Sequence, residues 1–518
     1  MNLEYPLLRL GGITKKFGNL VANDNIDLEL NRGEILALLG ENGAGKTTLM
    51  NILFGHYVSD QGTIEINGSP LTPGSPKESL QAGLGMVHQH FTLADNMTVL
   101  DNITLGTEPL FSLYRKKTEA IKKIKRLSEQ YEIGVNPNTK VKNLSVGERQ
   151  RVEILKALYR DTSILILDEP TAVLTPQESD HLFATLKLLV QEGLAIIFIT
   201  HKLREVMAVS DRCLVLRHGK TIYQCNTADT TADILAKEMV GGELPKVTRK
   251  ESTLGKTLFE LKGVHATDRK GHQLLSDLSL TLKSSEIVGI AGVSGNGQSH
   301  LADLVSGLLT PSSGEMILQG NRIEKPHPLY MVQNGIGRIP EDRIATGVIG
   351  DMSVLENITL EKYWKKEFSR FGLLNNTALT NHTKELTSTF DVRCGGLNAS
   401  ARTMSGGNMQ KLILSRVLSE NPQVILANQP TWGLDVGATA FVHRQLIEAC
   451  KNGAGVIVIS EDLDELFSVA DTIQVMYQGS LSPQIDPAKT TAAELGLAMS
   501  GHRDVIHTML LKEATSEA

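Results

Sequence analysis

The stretch GENGAGKTTL, residues 40–49, decides the fold of the first half of this chain. It satisfies the phosphate-binding pattern GxxxxGK[ST] at every position from Gly40 to Thr47. The apolar run EILALL precedes it, as expected of a buried strand, and a helix is expected to follow, which is the context that the motif requires. Glycines let backbone N–H groups surround phosphates, and the helix N-terminus adds partial positive charge. The motif therefore predicts an α/β domain that binds a nucleotide.

The residues of this loop have separate expected roles. The Lys46 ammonium would neutralise the β- and γ-phosphates of a nucleotide, and the Thr47 hydroxyl would coordinate Mg²⁺. The loop residues expected to bind the nucleotide are Gly40, Glu41, Asn42, Gly43, Ala44, Gly45, Lys46, Thr47 and Thr48.

Two acidic residues end a second apolar run, ILILDE. Asp168 ends the expected strand, where a carboxylate can hold Mg²⁺ directly or through water. Glu169 follows it and is placed to polarise the attacking water. Such a pair is usually only the end of a strand, but its position shortly after the segment LSVGERQ (144–150) gives it functional weight.

The whole chain is an internal duplication. GVSGNGQSHL (292–301) aligns with the phosphate loop at an offset of 252 residues, and MSGGNMQ (404–410) aligns with LSVGERQ at an offset of 260. The second half has therefore gained residues between its middle motifs, where a surface insertion costs little. The expected divisions are a first domain at 1–243, a linker at 244–256, a second domain at 257–503 and a C-terminal tail at 504–518.

The second copy has lost the functional side chains of the first. Its amide side chains cannot supply the positive charge, the metal ligand or the base that the first copy carries, and its acidic replacements bring negative charge near a phosphate. The replacements are Lys46 by Gln298, Asp168 by Asn428, Glu169 by Gln429, His201 by Glu461 and Gln89 by Glu341, with Phe17 aligned loosely with Arg269. The repeat therefore predicts one intact and one degenerate site.

Composition indicates at least two domains and no membrane span. A chain of 518 residues exceeds one compact core, and 52 basic against 58 acidic residues argue against binding nucleic acid by bulk charge. No apolar run of about 18 residues and no signal-peptide pattern occurs, so we expect a cytosolic protein or one held at a membrane by partners. The scattered cysteines at 213, 225, 394 and 450 are expected to be free thiols in a reducing compartment.

Each half is expected to alternate strands with helices. The apolar runs AIIFIT (195–200) and GVIVIS (455–460) are equivalent late strands of the two parallel sheets. The charged stretch 107–142 is expected to be helical, with a solvated basic face.

LSVGERQ and MSGGNMQ resemble the signature segment of the ATP-binding cassette (ABC) family. In such segments, small residues at a helix N-terminus present N–H groups and a hydroxyl to a γ-phosphate bound by another domain. The order of the phosphate loop, Gln89, the signature, Asp168-Glu169 and His201 is similar to that of the family, and the resemblance covers nearly the whole chain, twice. It implies an α/β fold of two tandem cassettes of the P-loop NTPase type, each with a helical subdomain.

The resemblance implies further residue roles. Gln89 would sense Mg²⁺ and a transmembrane partner, His201 would contact the γ-phosphate, and Phe17 would stack on adenine. Taken alone, Phe17 is an ordinary core residue and His201 a structural histidine, so these roles depend on the resemblance.

In this family cassettes pair head to tail, so each ATP lies between one phosphate loop and the other signature. The intact loop of the first half would then be completed by Ser405, Gly406 and Gly407, and by Asp435. The first-half equivalent of Asp435 is Thr175, a departure on the damaged side. We therefore expect one hydrolytic composite site and one that binds nucleotide weakly or only holds the halves together.

An intact first half fused to a degenerate second resembles the ATPases of bacterial importers for ribose, galactose and related sugars. The variants IPEDR, DEPTAVLTPQE and QPTWGLDVGA resemble the nucleoside branch of that group. This implies a subunit peripheral to the cytoplasmic side of the membrane, with two transmembrane permeases and an extracytoplasmic solute-binding protein or lipoprotein as partners, one chain per transporter, and no nucleic acid.

Two alternatives stand beside nucleoside import. A simple-sugar importer would need the same ATPase, because this subunit never touches the solute. A soluble twin-cassette ATPase acting on ribosomes or nucleic acid usually keeps both sites intact and carries a long basic linker. Here the linker is short, the net charge is −6 and one site is lost, which disfavours that alternative.

Overall fold

The structure, a computed structural model, describes residues 5–88, 91–107, 117–171, 174, 176–242 and 254–502. The chain divides into two units. One comprises Met1–Leu244 with Asp435–Gly437, and the other Pro245–Leu434 with Ala438–Ala518.

The first unit alternates strands and helices as expected. Its strands are β1 (Leu8–Phe17), β2 (Leu20–Leu30), β3 (Ile35–Leu39), β4 (Gln61–Ile66), β5 (Ser69–Pro70), β6 (Leu84–Val87), β7 (Ile164–Asp168), β8 (Ala195–Ile199), β9 (Arg212–Arg217) and β10 (Lys220–Asn226). Its α-helices are α1 (Lys46–Leu53), α2 (Pro76–Gln81), α3 (Val99–Thr104), α4 (Lys117–Gln130), α5 (Val146–Leu158), α6 (Pro176–Gln191), α7 (Leu203–Val209) and α8 (Ala232–Val240).

Two sheets organise this unit. A four-stranded antiparallel sheet has the order β2-β1-β4-β5, and a six-stranded sheet has the order β10-β9-β3-β8-β7-β6. The six-stranded sheet is parallel except for β10, which runs antiparallel to β9. All residues of β3 and β8 are buried, because both faces of the parallel sheet are covered. The carboxyl ends of β3, β7 and β8 therefore meet at one edge.

The second unit repeats this arrangement. Its strands are β11 (Thr257–Thr267), β12 (Gln273–Lys283), β13 (Ile287–Ala291), β14 (Ser313–Leu318), β15 (Asn321–Arg322), β16 (Ile336–Ile339), β17 (Ser369–Arg370), β18 (Leu373–Leu374), β19 (Val424–Asn428), β20 (Gly455–Ser460), β21 (Thr472–Tyr477) and β22 (Ser480–Leu481). Its α-helices are α9 (Gln298–Val305), α10 (Pro328–Gln333), α11 (Val354–Thr359), α12 (Asn376–Thr389), α13 (Gly406–Leu418), α14 (Val436–Lys451), α15 (Leu463–Val469) and α16 (Ala492–Met499).

The duplication is one of topology as well as sequence. The six-stranded sheet of the second unit has the order β16-β19-β20-β13-β21-β22, which matches β6-β7-β8-β3-β9-β10 strand for strand. The small sheet β12-β11-β14-β15 matches β2-β1-β4-β5 in the same way. The second unit also contains the two-stranded hairpin β17-β18, whereas residues 108–116 of the first unit lie outside the described ranges.

The expected helix over 107–142 is wrong in extent. The helix covers Lys117–Gln130, and the chain then turns before a short 3₁₀-helix at Val141–Asn143. Glu132 has a positive φ of 54°, and Gly134 and Pro137 follow, so the backbone cannot continue as an α-helix. Residues 108–116 lie outside the described part of the chain.

Most of the expected linker and all of the expected tail lie outside the described ranges, which do not include residues 243–253 and 503–518. Within the described ranges, no helix has the length and apolar character needed to span a bilayer. All four cysteines are free, with Cys213 and Cys450 buried.

Candidate active site

The phosphate loop joins the end of β3 to the start of α1. Gly45 precedes the helix with φ of 100°, a left-handed conformation. A Cβ atom at Gly45 would lie 2.3 Å from the Ala22 carbonyl oxygen and 2.6 Å from Asn23 Nδ2, so only glycine fits. No side chain caps the N-terminus of α1. The loop therefore presents the open, anion-binding helix start that the sequence predicts.

Lys46 is held inside this loop. Its side chain is buried, and Nζ donates to the carbonyl oxygens of Gly40 (2.7 Å) and Glu41 (3.0 Å). Burial lowers the pKa of Lys46, although the carboxylates of Glu169 and Asp168 act in the opposite direction. The ammonium group thus lies in the field of both carboxylates and has backbone partners that a phosphate can replace.

Asp168 and Glu169 lie at the carboxyl end of β7, beside the loop that follows β3. Burial, followed by the neighbouring charge of Glu169, raises the pKa of Asp168 to about 6, while Lys46 opposes the rise. Among the described residues no group of three or more His, Cys, Asp or Glu side chains could hold a metal ion alone. One carboxylate and the exposed Thr47 hydroxyl instead fit Mg²⁺, which binds few protein ligands together with nucleotide phosphates and water.

Glu169 is fixed by His201 and by its own backbone. Glu169 Oε1 and His201 Nδ1 are 2.9 Å apart, at the ends of neighbouring strands β7 and β8. Burial raises the pKa of Glu169, but the hydrogen bond and charge of His201, aided by Lys46, outweigh it, and the net pKa lies below its usual range. Glu169 also has a φ of 47°, with its N–H donating to the Ile199 carbonyl oxygen (2.9 Å). This geometry presents an ionised carboxylate, as a general base requires.

The sequence reasoning missed a supporting carboxylate, Glu205 on α7. It is buried, and it accepts hydrogen bonds from the hydroxyls of Thr200 (2.8 Å) and Thr171. The two threonines flank His201 and Glu169 in the sequence, so Glu205 ties together the loops that carry both site residues. The repeat carries the signal, because Glu465 accepts a hydrogen bond from Ser460 at the equivalent positions.

Phe17 ends β1 and is 44% exposed, so it is not a core residue. Its ring packs edge-on against Tyr57, with ring centroids 5.5 Å apart, and Lys15 Nζ lies 5.4 Å from its centroid. An exposed aromatic ring of this kind is available for stacking. Tyr57 is a second exposed aromatic ring that the sequence reasoning did not select.

The loose alignment of Phe17 with Arg269 is wrong by one residue. The bulge glycines Gly12 and Gly263 both have positive φ, at 62° and 56°, which sets the offset between β1 and β11 at 251 and places Asp268 opposite Phe17. The loop between β11 and β12 is longer than the loop between β1 and β2. This difference in loop length displaced the alignment of the two sequences by one residue. The conclusion that the second copy lacks the aromatic ring is unchanged.

The second copy keeps the backbone of the site but not its chemistry. Gln298 is buried at the start of α9 and donates to the Val293 carbonyl oxygen (2.8 Å), within the loop where Lys46 lies in the first copy. Gln429 has the same φ of 47° as Glu169, and its N–H donates to the Ile459 carbonyl oxygen (2.8 Å). The strained conformation therefore belongs to the fold rather than to catalysis.

The remaining amides and acids of the second copy bond one another. Asn428 Nδ2 donates to Glu341 Oε2 (3.4 Å), and the Glu461 N–H donates to Gln429 Oε1 (3.4 Å). The second copy therefore has an amide at each of the two positions where the first copy has the carboxylates of Asp168 and Glu169.

The two signature helices differ at their N-termini. Helix α5 begins with a capping box, in which the Glu148 carboxylate accepts the Ser145 N–H (2.8 Å) and the Ser145 hydroxyl accepts the Glu148 N–H (3.2 Å). In α13 no side chain caps the helix, and the Ser405 hydroxyl accepts a bond from Asn408 Nδ2 (2.9 Å). A carboxylate at the start of α5 repels a phosphate, whereas α13 leaves its N–H groups open to one.

The structure therefore brings four predicted residues together in the first unit: Lys46, Asp168, Glu169 and His201. Ser405, Gly406 and Gly407 lie at the N-terminus of α13 in the second unit, and Asp435 precedes α14. Gln89 and Thr175 lie outside the described residues, so their predicted roles remain predictions.

Asp168→Asn should stabilise the nucleotide-free, metal-free protein. Because the pKa of Asp168 is raised from 3.8 to about 6 in the folded state, ionisation costs stability as the pH rises from about 4 to about 6. Each pKa unit corresponds to about 1.4 kcal/mol and each kcal/mol to roughly 2–4 °C. Calorimetry at pH 8 should show a higher melting temperature for the variant, and at pH 4 the difference should shrink. An unchanged or lower melting temperature of the variant at pH 8 would contradict a raised pKa for Asp168.

Comparison with known proteins gives the class. The family described as ABC transporter matches residues 23–172 and 275–432, once in each half. The chain belongs to this family, and the prediction of two tandem cassettes is confirmed. It is an ATP-binding subunit, an ATPase coupled to transport.

Particular relatives are similar over nearly their full length. The chain is 43% identical to the nucleoside import ATP-binding protein NupA of Lactococcus lactis and 44% identical to the guanosine import ATP-binding protein NupO of Bacillus subtilis, each across 96% of this chain and 98% of the relative. It is 42% identical to the glucose import ATP-binding protein TsgD13 of Haloferax volcanii, across 97% of both chains.

A solved structure is similar in fold over most of the chain. The archaeal ribosome recycling factor aABCE1, in complex with the stalk protein aP1, matches with a TM-score of 0.62 across 92% of this chain and 90% of its own. At 18% identity this likeness concerns the fold alone.

Proposed function

We propose that this chain is the ATPase subunit that energises nucleoside import across the cell membrane. The observation that carries the proposal is an intact catalytic constellation in one cassette, within a chain whose full length resembles nucleoside import ATP-binding proteins. The variants IPEDR and QPTWGLDVGA, which point to the nucleoside branch, support the same choice.

We propose a single hydrolytic site of composite construction. Lys46, Asp168, Glu169 and His201 would be completed by Ser405, Gly406 and Gly407, and by Asp435. The uncapped N-terminus of α13 supports this pairing, because a γ-phosphate needs open N–H donors. The carboxylate at the start of α5 supports the view that the opposite site, around Gln298, does not hydrolyse ATP.

Each residue of the proposed site has a distinct task. Lys46 would exchange its two carbonyl partners for the β- and γ-phosphates. Glu169, ionised and held by His201, would orient and polarise the attacking water, while His201 would also face the γ-phosphate. Phe17 would stack on adenine. Thr47 and Asp168 would hold Mg²⁺, which supplies charge neutralisation at the phosphates when bound, and Gln89 would sense the ion.

We further propose that the chain works at the cytoplasmic side of the membrane, one copy per transporter. Two permease subunits and an extracytoplasmic solute-binding protein or lipoprotein would complete the assembly. This proposal is supported by relatives that are named as import proteins.

A mild-detergent purification from native membranes, followed by uptake assays, tests the proposed function. Two multi-spanning permeases should copurify, and deletion of their genes together with this one should abolish uptake of labelled guanosine or adenosine. Ribosomal proteins or nucleic acid in place of permeases would contradict the proposal and leave only the ATPase assignment.

Simple-sugar import is the second candidate, since the similarity to a glucose import ATP-binding protein is 42% over nearly the full chain. The same uptake assay, carried out with labelled ribose, galactose and glucose, separates the two. Loss of sugar uptake with unchanged nucleoside uptake would favour the sugar importer.

A further inference from the structure

A β-hairpin of the second unit exposes an unusual apolar tip. Strands β17 and β18 are joined by the two-residue turn Phe371–Gly372. Phe371 is 93% exposed, more than any other large apolar side chain in the described ranges, and Leu373 is 77% exposed. Two such neighbouring side chains in water mark an interaction surface rather than ordinary surface scatter.

The turn holds Phe371 in a backbone conformation that does not suit it. Phe371 and Gly372 both have positive φ, 53° and 81°, as in the two-residue turns that favour Asn-Gly. A bulky side chain in the left-handed region is strained, whereas asparagine tolerates it. A phenylalanine at this position therefore costs stability without any core packing in return.

Further aromatic and basic side chains surround the tip. Trp364, Tyr363 and Leu374 are each about half exposed. Residues 362–374 contain four basic residues and one acidic residue, although the whole chain carries a net charge of −6. The aromatic–basic patch, as we name it, comprises Tyr363, Trp364, Lys366, Arg370, Phe371, Leu373 and Leu374.

The hairpin stands on a rigid base. Lys362 is 2% exposed and binds the Ser419 hydroxyl (2.7 Å) and the Glu420 carboxylate (2.9 Å). Phe368 is buried, with its ring 5.1 Å from that of His382. Lys362 and Lys365 pair with Glu420, so the exposed charged groups of this segment are two basic residues, Lys366 and Arg370, and one acidic residue, Glu367.

The interval that holds the hairpin is longer than its counterpart in the first half. Glu361 and Met404 are 43 positions apart, against 38 for the equivalent Gly106 and Leu144, and the hairpin lies in the longer interval. The interval is thus five residues longer in the unit that has lost its catalytic groups.

We propose that the aromatic–basic patch docks on the surface of an anionic phospholipid bilayer. Phe371 and Leu373 enter the interfacial region, Tyr363 and Trp364 lie at headgroup level, and Lys366 and Arg370 meet lipid phosphates. A projecting tip with aromatic and basic side chains matches the interfacial anchors of membrane-associated proteins, and its positive charge complements anionic headgroups. The inference concerns a surface outside the nucleotide site and does not depend on the solute transported.

Vesicle cosedimentation of the full-length chain without nucleotide tests this proposal. The probes are vesicles of phosphatidylglycerol and phosphatidylcholine in equal parts, and vesicles of phosphatidylcholine alone. Wild type should bind the anionic vesicles preferentially, and Phe371→Asn combined with Leu373→Thr should lower the partition coefficient by about tenfold or more. Asparagine suits the turn, so the melting temperature of this variant should not fall.

A control variant in the first unit and the fluorescence of Trp364 provide two further measurements of vesicle binding. Leu20→Thr removes a side chain that is 66% exposed in the first unit and should leave vesicle binding unchanged. In a Trp432→Phe background Trp364 is the sole tryptophan, and its emission should shift to shorter wavelength on anionic vesicles.

Two results would overturn the proposal. Wild type that binds neither vesicle, or a double variant that binds like wild type, removes the membrane as the occupant. Unchanged vesicle binding with loss of permease copurification in the double variant would assign the patch to a protein partner instead.

Discussion

Glu169→Gln should lower kcat for ATP hydrolysis by about 10²–10⁴-fold, the contribution typical of a positioned general base. The variant keeps the shape of the side chain but loses the charge that His201 holds in place at 2.9 Å. The pKa of Glu169 lies below its usual range, so activity should not require high pH to ionise this base. Steady-state phosphate release measures kcat, and equilibrium binding of a labelled ATP analogue should change little.

The repeat provides the matched control for this variant. Gln429→Ala alters the equivalent residue, which has the same φ of 47° and the same backbone bond to the neighbouring strand. We expect it to retain at least about a third of wild-type activity, because a glutamine supplies no base. Comparable losses in the two variants would contradict a single hydrolytic site.

Lys46→Ala should abolish measurable hydrolysis, with kcat/KM reduced by about 10²-fold or more. In the proposed site the Lys46 ammonium group would reach the β- and γ-phosphates, and charge stabilisation of this kind is worth about 2.7–4 kcal/mol at other enzyme sites. Gly45 still sets the left-handed turn before α1 in this variant, although the loop loses the two hydrogen bonds that Lys46 Nζ donates to it. ATPase assays together with titration of a fluorescent nucleotide separate the loss of binding from the loss of turnover.

Gln298→Ala is the counterpart in the degenerate loop. Its amide already donates to the Val293 carbonyl oxygen, so its removal affects a local contact rather than a phosphate. At least about a third of the activity should remain. If instead Gln298→Ala were as inactive as Lys46→Ala, both loops would have to act in hydrolysis.

The identity of the fold was available from the sequence because its evidence is local. The phosphate loop needs glycines at fixed spacing from a lysine, and buried parallel strands appear as short apolar runs. The boundaries of helices and strands were harder to predict from the sequence, as the helix predicted over 107–142 shows. It ends at Gln130 because a positive φ at Glu132 interrupts it, and no period of apolar residues reports such a turn.

The residues of the candidate site could be predicted only in part from the sequence, because some of them acquire their contacts only in the folded chain. Lys46 and Asp168 belong to recognisable motifs, whereas Glu205 is an ordinary glutamate in sequence and acquires a role only where α7 brings it to Thr171 and Thr200. Phe371 likewise appears as an unremarkable aromatic residue until the hairpin leaves it 93% exposed.

The residues alone establish that the chain contains two related halves, and that the second has glutamine, asparagine and glutamine where the first has Lys46, Asp168 and Glu169. These facts depend on residue type at aligned positions, which needs no coordinates. Only the tertiary structure decided which groups face one another. It brings His201 into hydrogen-bond contact with Glu169 across neighbouring strands. It also places the Glu148 carboxylate in a capping box at the N-terminus of α5 and leaves the N-terminus of α13 without a side-chain cap. Hydrogen bonds and burial depend on distances between residues far apart in the chain, and folding alone sets those distances.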